Sequence, residues 1–96
     1  MLIKIPRNHP ALAGHFPGNP IVPGVTILDC VVQQLPPFLN DTVRVTGFAT
    51  VKFIAPLAPE VEFEIQFQRK GAGQAAFEVV AAGGKIASGT VAYELV

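Results

Sequence analysis

His15 is the first candidate for a chemical role, and glycines and a proline lie close to it in the sequence. Gly14 and Gly18 allow the backbone to approach a ligand closely, and Pro17 restricts the conformations of the loop. A histidine titrates near neutral pH, so it can accept a proton from a substrate. A single histidine between such turns is more often a packed, hydrogen-bonded residue than a catalytic base, and the segment alone leaves both interpretations open.

Asp29 is the second candidate, because it lies in the middle of an apolar segment that is predicted to be helical. Burying an unpaired carboxylate there would be costly, so the side chain needs partners, a proton or a function. Thr26, Asp29 and Gln33 are spaced i, i+3, i+7 and are predicted to form one polar stripe on the helix. These residues leave open an alternative, in which the aspartate braces the preceding proline-rich loop by accepting backbone hydrogen bonds.

The third element is the start of the predicted helix at Gly24. The amides of Gly24 and Val25 lack acceptors inside the helix and lie at the positive end of its dipole. Such a terminus can hold a thioester carbonyl oxygen while it gains negative charge. A base, an acid and an oxyanion site close together would fit proton abstraction beside a carbonyl followed by loss of a β-substituent, although none of the three is specific separately.

A single helix has to position two of these three elements, and the sequence predicts it from about residue 24 to residue 35. Pro36 and Pro37 are expected to end it, because the residue before a proline avoids the helical region. Its apolar residues lie around nearly the whole circumference, which predicts a helix enclosed by other structure. A short strand is predicted at residues 2–5, and the proline-rich stretch 6–23 is predicted to be an ordered, partly buried loop.

The rest of the sequence predicts antiparallel strands. Residues 61–69 alternate apolar and polar side chains, as in a strand with one buried and one solvated face. Residues 43–55 form a longer strand pattern, in which Gly47 is expected to mark a bend or bulge. Further strands are predicted at 74–82 and 85–95, with glycines in the hairpin turns. One helix covered by an antiparallel sheet that curls around it gives an α+β architecture.

Composition bounds the class of protein. The 96 residues suit one small domain, residues 1–96. Half of the residues are apolar and only 15% are charged. We therefore expect a dimer or larger oligomer, in which a second subunit covers apolar surface. Seven basic and seven acidic residues balance, which argues against nucleic acid or an anionic membrane as partner. No targeting signal, membrane span or metal-ligand spacing is predicted. The single Cys30 fits a reducing, cytoplasmic setting and a place in the core.

The most specific signal is the run from Gly14 to Val25, which reads Gly-His-Phe-Pro-Gly-Asn-Pro-Ile-Val-Pro-Gly-Val and continues with Leu28, Asp29 and Gln33. It resembles the signature of the β-hydroxyacyl-[acyl-carrier-protein] dehydratases. That signature is H-F-P-G-x-P-x-x-P-G, then an acidic residue five positions after its last glycine, then a glutamine four positions further on. Looser similarity extends over almost the whole chain, in three places: residues 51–53, the prolines at 56 and 59, and residues 87–89.

The resemblance implies a hot-dog fold, in which an antiparallel sheet wraps around one central helix and two subunits share each active site. It implies that His15 takes the C2 proton of a 3-hydroxyacyl thioester and that the Gly24 amide polarises the thioester carbonyl. Asp29 of the other protomer would protonate the departing hydroxyl, and Gln33 would orient that carboxylate. Four residues would contact the substrate: Phe16, Pro23, Val25 and Gln33. No metal or other cofactor is implied.

The resemblance also implies partners. The substrate would be carried on the phosphopantetheine of an acyl carrier protein in fatty-acid or polyene-type biosynthesis, by a homodimer or a heterodimer with a related subunit. Aspartate at position 29 is typical of the branch that can also isomerise the double bond, but does not establish isomerase activity. The short lead-in from His9 to Gly14 resembles compact dehydratases of secondary pathways, such as those making aryl polyenes. Two alternatives stay open: a hot-dog thioesterase and a noncatalytic acyl-carrier-binding subunit.

Overall fold

The computed structural model describes residues 2–13 and 20–96 of the chain. A single 3₁₀ turn at Pro10–Leu12 precedes the one long helix, α1 (Gly24–Leu39), and four strands follow it. Their bounds are β1 (Val43–Phe53), β2 (Phe63–Arg69), β3 (Gln74–Ala81) and β4 (Gly84–Leu95). The predicted order of loop, helix and strands is confirmed. The predicted first strand at 2–5 is reduced to one bridge, in which Ile3 and Phe63 exchange backbone hydrogen bonds of 2.7 and 2.9 Å.

The helix runs one turn further than its prolines predict. Pro36 and Pro37 lie inside α1, which ends at Leu39, and the left-handed Asn40 closes it with an N–H bond to the Pro36 carbonyl. Each proline removes one hydrogen-bond donor from this turn. The prediction of an end at residue 35 was wrong because Leu35 and Leu39, one turn apart, are both buried against the core. Burial of a leucine contributes about 1.5–3 kcal/mol, which offsets the lost backbone bonds.

The two sides of α1 differ, whereas a helix enclosed all round was predicted. One row is buried under the sheet and consists of Ile27, Val31, Leu35 and Leu39. The opposite row, Val25, Asp29 and Gln33, is exposed, and Val25 retains 67% of its accessible surface. Thr26 is buried and does not share this face, so the predicted polar stripe of Thr26, Asp29 and Gln33 was wrong in its first member. A single sheet covers only one side of a helix, and residues 2–13 and 20–96 leave the other side open.

The four strands form one antiparallel sheet in the order β1-β4-β3-β2. β2 and β3 pair in unbroken register from Phe63 with Ala81 to Arg69 with Ala75, and the turn between them contains two glycines with positive φ. The start of the predicted strand 61–69 moves to Phe63, because Val61 lies outside the ladder and is exposed.

β1 bends at two places along its pairing with β4. The register shifts between Val45 and Gly47, which confirms the predicted irregularity at Gly47. It shifts again between Ala49 and Lys52, where Thr50 adopts a positive φ of 52°. Extra residues of this kind increase the local twist of a strand. The second irregularity brings the end of β1, at Phe53, towards the amino end of α1, which Phe53 touches.

The core lies between the buried row of α1 and the inner face of the sheet. Its largest fully buried side chains are Phe63, Phe77, Leu35, Val31, Val79 and Val91. The ring of Phe77 packs edge-on against Phe48, with ring centroids 5.9 Å apart. This packing fixes α1 on the sheet and so fixes the direction in which its exposed row points.

Candidate active site

Five of the seven residues predicted to form the site lie in the described part of the chain, and all five belong to α1 or its cap. Pro23 is the N-cap, Gly24 and Val25 open the helix, and Asp29 and Gln33 follow at one-turn intervals from Val25. His15 and Phe16 lie outside the described residues. His9 caps the 3₁₀ turn, where its Nδ1 accepts the Ala11 N–H at 3.0 Å, as expected for a packing residue.

The amino end of α1 carries amides without acceptors. The Pro23 carbonyl accepts the N–H groups of Thr26 and Ile27 at 3.0 and 3.3 Å. The N–H groups of Gly24 and Val25 have no acceptor among the described residues, and Pro23 offers no side-chain cap. Free amides at the positive end of a helix dipole can stabilise an oxygen that gains negative charge. The start of α1 therefore offers the amides without acceptors that the sequence predicted, and their role as an oxyanion site stays a prediction.

Asp29 lies one turn beyond Val25 on the exposed row of α1. Its carboxylate makes no hydrogen bond or ion pair with another described residue, so it braces none of the described parts of the proline-rich loop. Gln33 is exposed one turn further on, and no hydrogen bond joins its amide to Asp29 within this chain. The helix thus presents an available carboxylate on the face that its own sheet leaves uncovered.

Cys30 follows Asp29 but differs from it in environment. The thiol is half-buried against the core, and burial, with a smaller contribution from the Asp29 charge, raises its pKa above the ordinary value of 9.0. A thiol with a raised pKa stays protonated near neutral pH and is a poor nucleophile. Cys30 is therefore a packing residue, as its position on the helix predicted.

A cavity of about 430 Å³ adjoins the free amides. Its walls are mostly apolar and come from the loop before α1, the first turn of α1 and the segment after β1: Ile21, Val22, Pro23, Gly24, Ile27, Phe53, Ile54, Ala55, Pro56 and Leu57. The Val22 N–H donates to the Leu57 carbonyl at 2.8 Å, which ties the two loop segments together. Volume and lining are typical of sites for small organic groups.

Phe53 contributes a contact that no motif indicated. A Cβ atom added at Gly24 would lie 2.6 Å from the Phe53 Cζ, so the tip of the ring occupies the space of a side chain. The φ of Gly24 lies outside the left-handed region, and the backbone therefore does not require glycine there. A side chain at position 24 would have to displace the tip of this half-exposed ring. Sequence similarity at residues 51–53 marked the segment, but only the bend in β1 brings the ring to the helix.

The sequence from residue 1 to residue 90 matches the family model described as ApeI-like: ApeI dehydratase. The chain belongs to this dehydratase family. The resemblance that the motif of residues 14–33 carries is therefore confirmed at the level of the family. The match covers α1, β1, β2, β3 and half of β4, so it includes every described element that builds the candidate site.

Relatives and solved structures agree with the ApeI-like family. A 3-hydroxyacyl-[acyl-carrier-protein] dehydratase FabZ of Thermus thermophilus is 31% identical over 98% of this chain and 75% of that protein. The FabZ of Herpetosiphon aurantiacus is 31% identical over 77% of this chain and 62% of that protein. The dehydratase heterocomplex ApeI:P from Xenorhabdus doucetiae superposes with a TM-score of 0.83 at 20% identity, over 96% of this chain and 82% of that chain. This likeness confirms the hot-dog fold.

The chain is shorter than several relatives, spanning about three fifths of the first curated proteins it matches. Within residues 2–13 and 20–96, no helix is long and apolar enough to cross a membrane. In the same part of the chain, no three His, Cys, Asp or Glu side chains are grouped so that they could hold a metal ion.

Proposed function

We propose that this ApeI-like family member dehydrates 3-hydroxyacyl thioesters to trans-2-enoyl thioesters. His15 takes the C2 proton, and the released electron pair forms the C2–C3 double bond while the C3–O bond breaks. Asp29 donates a proton to the departing hydroxyl, which leaves as water. The Gly24 amide stabilises the charge that develops on the thioester oxygen.

The observation that carries this proposal is the arrangement on α1. Among the described residues, the amides of Gly24 and Val25 have no acceptor and the Asp29 carboxylate has no partner. These groups lie four or five residues apart on α1, and the row of Val25 and Asp29 is exposed. One turn advances a helix by about 5.4 Å. An acid and an oxyanion site so spaced suit elimination across C2 and C3.

The same arrangement favours a site shared by two subunits, with His15 from one protomer and Asp29 from the other. The exposed row of α1 includes the apolar Val25, and β1 is an edge strand with open backbone groups along one side. Both features suit contact with a second subunit. The Xenorhabdus doucetiae protein is described as a heterocomplex. We propose a homodimer or a heterodimer with a related subunit on this basis.

The proposed carrier of the substrate is an acyl carrier protein. Names of the FabZ relatives state that substrate class, and the chain shares 31% identity with them. Phe16, Pro23, Val25 and Gln33 would line the path of the acyl thioester, and Gln33 would orient Asp29 when the second subunit is bound. We place the reaction in fatty-acid or polyene-type biosynthesis in the cytoplasm, without a metal or redox cofactor.

Substitution of the proposed base and acid tests the reaction. His15→Ala and Asp29→Asn should each lower enoyl formation from a 3-hydroxybutyryl carrier by about 100-fold or more, as measured by mass spectrometry. Asp41→Asn is the matched control, because Asp41 is also exposed but lies past the other end of α1. Full activity of either site variant would overturn the assignment.

Two other products of the same assay would identify the alternatives. Release of free thiol without enoyl product would identify a thioesterase. Turnover that appears only after a related subunit is added, and that survives loss of His15 and Asp29, would identify a noncatalytic partner.

A further inference from the structure

Phe53 is an aromatic residue that the folding of this chain leaves half exposed, with 52% of its surface accessible. It ends β1 and is not part of the buried core. Neighbouring Ile54 and Val25 are exposed to a similar extent, so an apolar surface surrounds the amino end of α1. Phe53 reaches the proposed oxyanion site from β1, where its ring tip lies next to Gly24.

The contact places the ring beside any carbonyl that Gly24 binds. A carbonyl oxygen that accepts the Gly24 N–H would lie about 2.9 Å from the nitrogen. The ring tip lies 2.6 Å from the position that a Cβ atom of the same residue would take. Atoms bonded to the carbonyl carbon, which are C2 and the sulfur of a thioester, must therefore pass close to the ring.

The ring also narrows the approach from the cavity of about 430 Å³. Phe53 and Ile54 line this cavity together with Pro23, Gly24 and Ile27. A ring beside Gly24 in this lining limits how wide a group can be at the carbon next to a carbonyl that Gly24 binds. Removing it would widen the passage without opening a hole in the core, because Phe53 is half exposed.

We propose that Phe53 is a specificity-determining residue that admits acyl thioesters unbranched at C2 and excludes those with a methyl group there. This inference rests on the proposed function, because it places the thioester carbonyl at Gly24. It assigns a role to a residue outside the family signature, and it states which substituent the site rejects.

The test compares two substrates in three variants. Phe53→Ala, Phe53→Leu and the control Phe38→Ala are assayed with 3-hydroxybutyryl and 3-hydroxy-2-methylbutyryl thioesters of N-acetylcysteamine. Phe38 is a matched control because, like Phe53, it is a partly exposed phenylalanine, but it lies near the far end of α1, where it stacks on Phe67 at 5.1 Å. The ratio of kcat/KM for the branched over the unbranched substrate should rise by about 10-fold or more in Phe53→Ala, because one methyl group in a pocket discriminates by that order. Phe53→Leu should show a smaller rise.

A second measurement separates this inference from the proposed reaction. Dissociation constants of the unreactive butyryl and 2-methylbutyryl pantetheines are measured by calorimetry with the same proteins. Tighter binding of the branched compound to Phe53→Ala, with no change in Phe38→Ala, supports the inference. This holds even if the wild-type protein shows no dehydratase activity, because that result would contradict only the proposed function. An unchanged preference in Phe53→Ala, an equal shift in Phe38→Ala, or no binding of either compound to the wild-type protein overturns it.

Discussion

The tip of the Phe53 ring lies in the space that a side chain at position 24 would occupy, 2.6 Å from the position of a Cβ atom. Position 24 is helical, where alanine is favoured over glycine by about 0.5–1 kcal/mol. The sequence nevertheless has glycine at the first residue of α1. The contact of Phe53, at the end of β1, with Gly24, at the start of α1, therefore opposes the preference of a helix for alanine over glycine. The two residues should be energetically coupled.

A double-mutant cycle measures this coupling. Gly24→Ala should be more favourable in the Phe53→Ala background than in the wild-type background by about 1 kcal/mol, because overpacking costs about 1–3 kcal/mol where the ring cannot move away. The free energies of unfolding come from denaturant titration of the four proteins. An identical effect of Gly24→Ala in both backgrounds would show that the ring does not determine the glycine.

The space beside Gly89 is filled by a buried side chain and by backbone, whereas the ring beside Gly24 is half exposed. A Cβ atom there would lie 2.9 Å from the Cζ of the buried Phe77 and 3.1 Å from the backbone of Val51. Gly89→Ala should therefore destabilise the protein by about 1–3 kcal/mol. For a domain of this size, each kcal/mol lowers the Tm by about 4–8 °C. Gly47→Ala is the control, because Gly47 is also a strand glycine but has nothing within 4 Å of its Cβ position. Equal Tm values for the two variants would contradict the packing account.

Cys30 provides a test that depends on pH. Burial first, and the Asp29 charge second, raise the pKa of the thiol above 9.0. Only the thiolate is alkylated, so iodoacetamide should modify folded Cys30 more slowly than free cysteine near pH 8, and the rate should keep rising at pH values above the pKa of free cysteine. Asp29→Asn should lower the thiol pKa and speed alkylation, because a negative charge that opposes the thiolate is removed. Asp41→Asn should leave the rate unchanged. A slower reaction in Asp29→Asn would reverse the assigned sign.

The proposal that two subunits share each site predicts complementation between inactive proteins. In a symmetric dimer, a His15→Ala protomer paired with an Asp29→Asn protomer rebuilds one complete site and loses the other. Random mixing after unfolding and refolding should then restore about a quarter of the wild-type dehydratase activity, since half of the dimers are mixed and each has one intact site. Mixing either variant with itself is the control. No recovery from a mixture that forms dimers would place His15 and Asp29 of each site in the same protomer.

Local pattern was sufficient for much of this protein. The signature between Gly14 and Gln33 identified the dehydratase family, and the period of two in residues 61–69 identified β2. The free amides at Gly24 followed from helix geometry alone, since the first turn of any helix lacks acceptors. The start of α1 at residue 24 and the irregularity at Gly47 also agreed with prediction. All of these features depend on neighbours in the sequence.

Features that depend on distant residues were decided only by the tertiary structure. Helix α1 continues through Pro36 and Pro37 because Leu39 is buried in the core. Val25, and not Thr26, lies on the exposed face with Asp29, because the sheet covers the side on which Thr26 lies. The sequence periodicity predicts which residues share a face of the helix, but packing against β1 to β4 decides which face remains exposed to solvent. The contact of Phe53 with Gly24 joins residues 29 positions apart through a bend in β1, and no local pattern encodes such a distance.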